Sequence, residues 1–221
     1  MASINMFLEA GGPVVAILLA FSVVAVTVIA IKLWQFWSVR GTGNQSIRLA
    51  LEHIESGDRA QALLLAGDRS NPRADIIARS LRLLEKPHLS QEEIQAEITR
   101  AARAHIASLG SQLRILEVIA VVAPLLGLFG TVLGMIAAFQ AMAAAGSQVN
   151  PAVLSSGIWE ALLTTAVGLA VAIPASLFNS GFERFVENTA AQMSDDIGRI
   201  FTAHAEHRSG EARKGPAIHK A

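Results

Sequence analysis

The chain has 221 residues, of which 52% are hydrophobic and 16% charged, whereas soluble domains ordinarily carry about 25% charged residues. Its formal net charge is zero and it has no cysteine, which argues against nucleic-acid binding through a basic patch and excludes disulfide or thiolate chemistry. The composition favours an all-α membrane protein with a modest helical part outside the membrane.

The first apolar segment follows a short polar lead, residues 1–9, which we expect to lie outside the membrane. No charged residue then occurs before Lys32, and the segment predicts a first transmembrane helix over residues 10–37. Lys32, Trp34 and Trp37 at its end are typical of a basic and aromatic anchor at the cytoplasmic interface. A cleaved signal peptide is the alternative, but the start lacks a basic region and the apolar run is too long.

The polar, arginine-rich segment at residues 38–114 predicts a cytoplasmic insert of amphipathic helices. Asp58 is a predicted N-cap and Gly67 a predicted stop signal. The charged side chains of the insert are expected to form solvated faces. Its three short helices are predicted over residues 46–57, 59–66 and 73–85.

A longer helix is predicted after a capping box formed by Ser90 and Glu93. An apolar stripe at helical spacing runs from there into the second apolar segment, so the sequence predicts one continuous helix from Gln91 to about Ala143. The stripe comprises Ile94, Ile98, Ala101, Ala102, His105, Leu109, Leu113 and Leu116.

Two long apolar segments follow, and between Val118 and Phe182 the sequence has a single charged residue, Glu160. They predict a second transmembrane helix at residues 115–143 and a third at residues 151–182. Asn150 and Pro151 predict the start of the third span, as N-cap and first helical residue. The other predicted segments are an external turn at residues 144–150, a cytoplasmic helical extension at residues 183–207 and a disordered tail at residues 208–221.

Lysine and arginine are absent from residues 1–31 and 115–183. By the positive-inside rule, the insert and the C-terminal segment are then cytoplasmic. The N-terminus and the turn between the second and third spans are expected on the outer side. Three spans satisfy this arrangement.

A carboxylate and several hydroxyls fall at similar depth in the second and third spans. Glu160 is expected near the middle of the membrane, with Thr164 and Thr165 about one turn further on and Thr131 at comparable depth in the second span. A carboxylate can take up and release a proton, and hydroxyls can relay one or hold water. Two plainer interpretations remain: the threonines bond to their own helix backbone, and Glu160 only joins neighbouring helices.

Small residues in these two spans predict close helix contacts. With Pro174, a predicted kink, they are expected to form packing surfaces toward other subunits or partners. Zinc spacings, phosphate-binding loops and nucleophile motifs are missing, so no enzyme, metal or cofactor is predicted. The glycines concerned are Gly127, Gly130, Gly134, Gly157 and Gly168.

Two stretches, APLLGLFGTVLGMIAAF at Ala123–Phe139 and GIWEALLTTAVGLAVAIPA at Gly157–Ala175, resemble the ExbB/TolQ/MotA proton-channel family, specifically its ExbB/TolQ branch. The resemblance covers about residues 107–185, and the remainder agrees only in layout. It implies a multi-pass protein of the bacterial inner membrane, in contact with membrane lipid, with a periplasmic N-terminus and a cytoplasmic C-terminus.

The resemblance also implies a proton-driven motor subunit. Family members form a homopentamer around a dimer of an ExbD/TolR-like single-span protein, whose membrane aspartate is the primary proton carrier. The hydroxyls of Thr131 and Thr165, with Glu160, would line the proton path to that aspartate. Thr164 departs from the family pattern, in which a small apolar residue is common, and would add a further hydroxyl.

Three functions follow as expectations. An ExbB-like subunit would energise TonB-dependent outer-membrane transport, through a TonB-like protein. A TolQ-like subunit would serve envelope maintenance, through a TolA-like protein. The third belongs to a different functional class: a passive membrane scaffold, in which Glu160 only joins helices.

Overall fold

A computed structural model describes residues 2–41, 44–67, 71–144 and 151–213. The chain is helical throughout this part except for short connections. It divides into two compact units, which we call the membrane unit (Met1–Lys32 and Gln112–Glu183) and the insert unit (Leu33–Ser111 and Arg184–Ala221). The helices in order are α1 (Ala2–Gly41), α2 (Asn44–Glu55), α3 (Arg59–Leu65), α4 (Pro72–Leu84), α5 (Gln91–Gly110), α6 (Leu113–Ala144) and α7 (Pro151–Arg213).

The three predicted spans are confirmed as helices. In the described part of the chain, three helical stretches are long and apolar enough to cross a membrane, with bounds Gly12–Trp37, Gln91–Ala144 and Leu154–Ser209. The second stretch spans both α5 and α6. Many large apolar side chains of the membrane unit are exposed, which suits contact with lipid or with other subunits. They include Val23, Val26, Val121, Leu125, Leu128, Trp159, Leu162 and Leu177.

The prediction of one continuous helix from Gln91 into the second span is wrong. Helix α5 ends at Gly110 and α6 begins at Leu113. Gln112 between them has a φ of 68°, in the left-handed region that interrupts a right-handed helix. The Ser111 hydroxyl donates to the Ser108 carbonyl at 2.7 Å and helps to satisfy the end of α5.

Helix α1 includes the predicted external lead, but it is not regular throughout. Gly12 has φ 60° and ψ −163°, a conformation outside the helix, and Pro13 follows it. That region of backbone space is open essentially to glycine alone. The N-terminal turns are therefore set off from the span that begins here.

The segments on either side of α7 lie outside the described residues. The predicted turn after residue 144, including Asn150, and the tail after residue 213 lie outside the described residues. Pro151 is the first residue of α7 as predicted, and α7 continues to Arg213, past the predicted end of the extension at residue 207.

Local capping signals of the insert unit are confirmed. The Asp58 side chain accepts a hydrogen bond from Gln61 N at the start of α3, and Ser90 and Glu93 form the predicted capping box at the start of α5. Helix α4 is capped by Asn71, one residue earlier than the sequence predicted. These side chains satisfy backbone N–H groups that have no partner within their helices.

Two apolar clusters form the core of the insert unit, and both include residues of α7. The first joins α2, α3 and α4 with Ile200 and Ala203, and the second joins α4 and α5 with Met193. The helical extension predicted at residues 183–207 is part of α7, and it contributes the buried side chains of Met193 and Ile200 to these clusters. The second cluster contains Ile76, Ile94, Ile98, Ala101, Ala102 and Met193.

The expectation that the insert's charges lie on solvated faces fails for one pair. Arg73 Nε and Nη2 donate to the two carboxylate oxygens of Asp196 at 2.8 and 2.9 Å, and Nη1 donates to Gln192 at 3.0 Å. The Asp196 side chain is 2% exposed and that of Arg73 15%. A buried carboxylate needs such a two-pronged partner, because burial removes the water that otherwise stabilises the charge.

Replacing Arg73 with leucine is expected to destabilise the insert unit by about 3–5 kcal/mol, because Asp196 would be left buried without its cation. The measurement is urea unfolding of the chain in detergent. Arg48→Leu is the matched control. Arg48 Nε lies 3.7 Å from Glu52 Oε1 in an exposed ion pair, and such pairs contribute little to the free energy of unfolding. Equal losses in the two variants would contradict the prediction.

The surroundings of Glu97 predict that the stability of the insert unit depends on pH. A hydrogen bond from Arg100 and a second, weaker contribution from Arg79 lower the pKa of Glu97 from 4.5 to about 2. A carboxyl with a lowered folded-state pKa stabilises the protein above its unfolded pKa and loses this contribution as pH falls toward 2. Between about pH 4.5 and 2 the native protein should therefore lose more stability than Glu97→Gln in urea unfolding. Parallel profiles for the two proteins would refute this assignment.

Candidate functional site

Helices α6 and α7 of the membrane unit meet along the predicted glycines, which we call the glycine seam (Gly127, Gly130, Gly134, Gly157 and Gly168). A Cβ atom at Gly168 would lie 2.7 Å from the Ala123 carbonyl oxygen, and one at Gly157 would lie 2.5 Å from Ala138 Cβ. Positions rising along α6 meet positions falling along α7, so the two helices are antiparallel. Only residues without a side chain allow backbones this close.

Thr164 is part of this seam. Its side chain is buried, at 3% exposure, and its hydroxyl lies 3.1 Å from the Gly127 carbonyl of α6 and 2.7 Å from the Ala161 carbonyl of its own helix. A Cβ at Gly130 would lie 2.6 Å from the same hydroxyl. The hydroxyl proton therefore has two backbone acceptors, one on each helix, and the oxygen retains lone pairs that can accept.

Thr165, the next residue, differs sharply from Thr164. Its Cα lies 3.0 Å from the Cβ position of Gly127, so it too is held against α6. Its hydroxyl oxygen is buried and has no hydrogen-bond partner among the described residues. An unsatisfied buried hydroxyl costs free energy unless water or another group bonds to it. The Thr165 hydroxyl therefore retains unused donor and acceptor capacity inside an apolar span, where such capacity is costly.

Glu160 lies one turn before Thr164 on α7 and is half-buried. A Cβ at Gly12 would lie 3.8 Å from its Oε1 atom. The bend of α1 thus places the backbone of Gly12, which has no side chain, close to the carboxylate of Glu160. The role of Gly12 was not predicted, and its only signal in the sequence is the run Gly11-Gly12-Pro13 inside an apolar segment.

Thr131 lies at the level of these residues, as predicted. Gly130 meets Thr164 and Gly134 meets Ala161 across the seam, so Thr131 falls within about a turn of Glu160 in depth. Its hydroxyl donates to the Leu128 carbonyl of its own helix at 2.6 Å. In the described part of the chain, no hydrogen bond joins the Thr131 hydroxyl to the threonines of α7. Its bond to its own helix backbone matches the plainer of the two interpretations given for the threonines.

Other predicted positions are less central. Pro174 lies within α7 and is exposed, and Lys32 is 1% exposed rather than extended outward like Trp34 and Trp37. Asn179 of α7 was not predicted, because it carries neither a charge nor a hydroxyl. The residue is 7% exposed, and its Nδ2 donates to Glu183 Oε1 at 2.9 Å. Among the described residues no group of His, Asp and Glu side chains is arranged to hold a metal.

The chemistry available in the membrane unit is therefore proton handling. A half-buried carboxylate, two bonded hydroxyls and a hydroxyl without a partner in the described part of the chain lie within about three turns of one helix pair. These groups can accept, donate and orient protons or water. A carboxylate inside an apolar span is costly, which indicates a functional role.

Comparisons with known proteins agree with this reading. The sequence matches the MotA/TolQ/ExbB proton channel family over residues 68–195, which is more than half of the 221-residue chain. The protein named biopolymer transport protein exbB1 of Vibrio cholerae is 30% identical over 84% of this chain and 84% of its own length. An ExbB-like protein of Synechocystis is 30% identical over 86% of this chain and 90% of its length. The Tol-Pal system protein TolQ of Pseudomonas aeruginosa is 30% identical over 82% of each chain.

Proposed function

Because the chain belongs to the MotA/TolQ/ExbB proton channel family, we propose that it is the ExbB-like subunit of an inner-membrane proton channel and motor. With an ExbD-type partner it would use the proton motive force to energise TonB-dependent outer-membrane transport. The family is one of transport proteins, so the function is not enzymatic. The biopolymer transport protein of Vibrio cholerae, similar over most of both chains, supports the ExbB-like role.

The observation that carries the conducting role is the Thr165 hydroxyl. It is buried in a membrane span without a partner in the described chain, one turn from a carboxylate. A hydroxyl that only tied helices together would be bonded, as Thr164 is. We assign Thr165 and Glu160 to the proton path, with Thr131 and Thr164 beside them, and the partner's membrane carboxylate as the group that Thr165 meets.

The proposal includes an assembly. Five copies would surround a dimer of the single-span partner. The glycine seam would hold α6 against α7 within each copy, and the exposed Pro174 would contribute to subunit and partner packing. The exposed apolar side chains of the membrane unit fit contact with lipid and with neighbouring copies. The N-terminus would be periplasmic and the C-terminus cytoplasmic, because lysine and arginine avoid residues 1–31 and 115–183.

A TolQ-like role in a Tol-Pal motor is the second candidate. The observation favouring it is the TolQ protein of Pseudomonas aeruginosa, which is 30% identical to this chain, as the exbB1 protein is. Deleting the gene for this chain in its own cell separates the two roles. Loss of TonB-dependent uptake with an intact envelope supports the ExbB-like role, and envelope leakage with normal uptake supports the TolQ-like one.

The channel itself is tested in liposomes. The chain is reconstituted with its ExbD-type partner, and proton flux driven by a membrane potential is compared with flux through the chain alone. Flux in the complex, and little in the single chain, is expected because the partner supplies the proton-carrying carboxylate. Absence of flux in a correctly assembled complex that includes the periplasmic TonB- or TolA-like protein would favour the non-conducting scaffold.

A further inference from the structure

Asn179 is a second buried polar group of the membrane unit with an unsatisfied atom. Its side chain is 7% exposed, and its Nδ2 donates to Glu183 Oε1 at 2.9 Å. Its Oδ1 is buried and has no hydrogen-bond partner among the described residues. Because the carboxylate of Glu183 accepts hydrogen bonds, it fixes the NH₂ end of the amide toward itself and leaves the carbonyl oxygen as the unsatisfied end.

The position of Asn179 separates it from the site at Thr165. It follows Thr165 on α7 by roughly 21 Å of axial rise and lies on nearly the same face, turned by about 40°. The intervening residues on this face are small and packed against α6, as the contact of Gly168 with Ala123 shows. Asn179 is therefore a separate site toward the end of the span where charged residues resume with Glu183.

The chemistry of the pair is complementary. The buried amide oxygen of Asn179 accepts a hydrogen bond but does not titrate, so it can hold and orient a water molecule without storing a proton. Glu183 is an exposed residue, so its carboxylate can both accept a proton and release it to solvent. The hydrogen bond between them fixes the carboxylate beside the place where that water would sit.

We propose that Asn179 and Glu183 form a water-binding proton-release site at the inner end of the third span. This inference rests on the proposed function, since it requires that protons cross the complex. A hydrated proton reaching Asn179 Oδ1 passes its proton to the Glu183 carboxylate and leaves neutral water behind. The protonated carboxyl then gives the proton to bulk water and returns to the carboxylate. Asn179 is a positioning residue and Glu183 the proton acceptor.

The test uses the complete complex with the ExbD-type partner in liposomes. Glu183→Gln keeps the hydrogen bond from Asn179 and removes only the titratable oxygen pair, so proton flux is expected to fall about tenfold or more. Asn179→Leu keeps the branching at Cγ, although its methyl groups are bulkier than the amide, and removes the acceptor, and a similar loss is expected. Glu183→Asp should recover a substantial part of the flux, because the carboxylate is retained.

Two further readouts distinguish a release site from a packing role. In a structure of the complex that resolves water, a water molecule is expected within hydrogen-bond distance of Asn179 Oδ1. A side chain of another subunit donating to that oxygen would overturn the proposal. Higher thermal stability of the Asn179→Leu complex would also overturn it, since this would mean that the oxygen has no donor in the native assembly.

Thr165→Val, measured in the same experiment, separates failure of this inference from failure of the proposed function. If the native complex conducts, Thr165→Val does not, and Glu183→Gln conducts like the native complex, then only the release site is refuted. If the native complex conducts no protons even with the periplasmic TonB- or TolA-like protein present, the proposed channel is refuted and the release site with it. Glu183→Gln decides the question even if Asn179→Leu does not assemble, because Glu183 is exposed.

Discussion

Proton flux through the reconstituted complex is expected to fall about tenfold or more when Thr165 is replaced with valine. Valine has nearly the shape of threonine, so the contact with Gly127 is retained and only the hydroxyl is removed. That hydroxyl is buried and unpartnered in the described chain, so its loss should not lower the thermal stability of the chain. The fall in flux should therefore occur without destabilisation.

Thr27→Val is the matched control for this experiment. Thr27 is an exposed threonine of the first span whose hydroxyl donates to the Val23 carbonyl at 2.7 Å, so its replacement should leave flux unaltered. Glu160→Gln is expected to reduce flux as Thr165→Val does. If both Thr165→Val and Glu160→Gln conduct like the native complex, the proton path does not run through these residues.

Gly168→Ala is expected to destabilise the membrane unit by about 1–3 kcal/mol, because the added methyl group would force α6 and α7 apart. Its Cβ would lie 2.7 Å from the Ala123 carbonyl oxygen and 3.2 Å from Gly127 Cα. Neither of these is the movable end of a side chain, so the backbone itself must shift. Thermal unfolding in detergent measures the effect.

Gly181→Ala supplies the control on the same helix. A Cβ at Gly181 meets nothing within 4 Å, and alanine is the better helix former by up to about 1 kcal/mol. Gly181→Ala should therefore stabilise the protein slightly while Gly168→Ala destabilises it. The same sign of change in both variants would mean that the glycine seam is not the close contact described.

The helices and their caps could be predicted because their signals are local. The box of Ser90 and Glu93, the cap at Asp58 and the proline at position 151 each act within one or two turns of chain. Long apolar runs likewise identify spans without knowledge of their neighbours. The break at Gln112 was missed although Gly110, a possible stop signal, ends α5. The residue with positive φ is neither a proline nor a glycine, and the apolar stripe continues past it through Leu113 and Leu116.

The roles of Thr164 and Thr165 could not be separated from the sequence. Both are threonines at similar depth, but the seam turns the first hydroxyl onto two carbonyls and leaves the second without a partner among the described residues. This difference depends on which residue of α6 faces each one. The burial of Asp196 is similar: its partner Arg73 lies far away in sequence, so the pair resembled ordinary surface charges.

The two acceptors of the Thr164 hydroxyl bear on whether the contact between α6 and α7 is reversible. In hydrocarbon, a stranded hydrogen-bond donor would oppose any separation of two helices. Here the hydroxyl can let go of the Gly127 carbonyl and remain bonded to the Ala161 carbonyl of its own helix at 2.7 Å. Separating the helices at this level therefore loses packing but leaves no hydrogen-bond donor without an acceptor. The contact of Thr164 with α6 can break and re-form at no cost in unsatisfied donors.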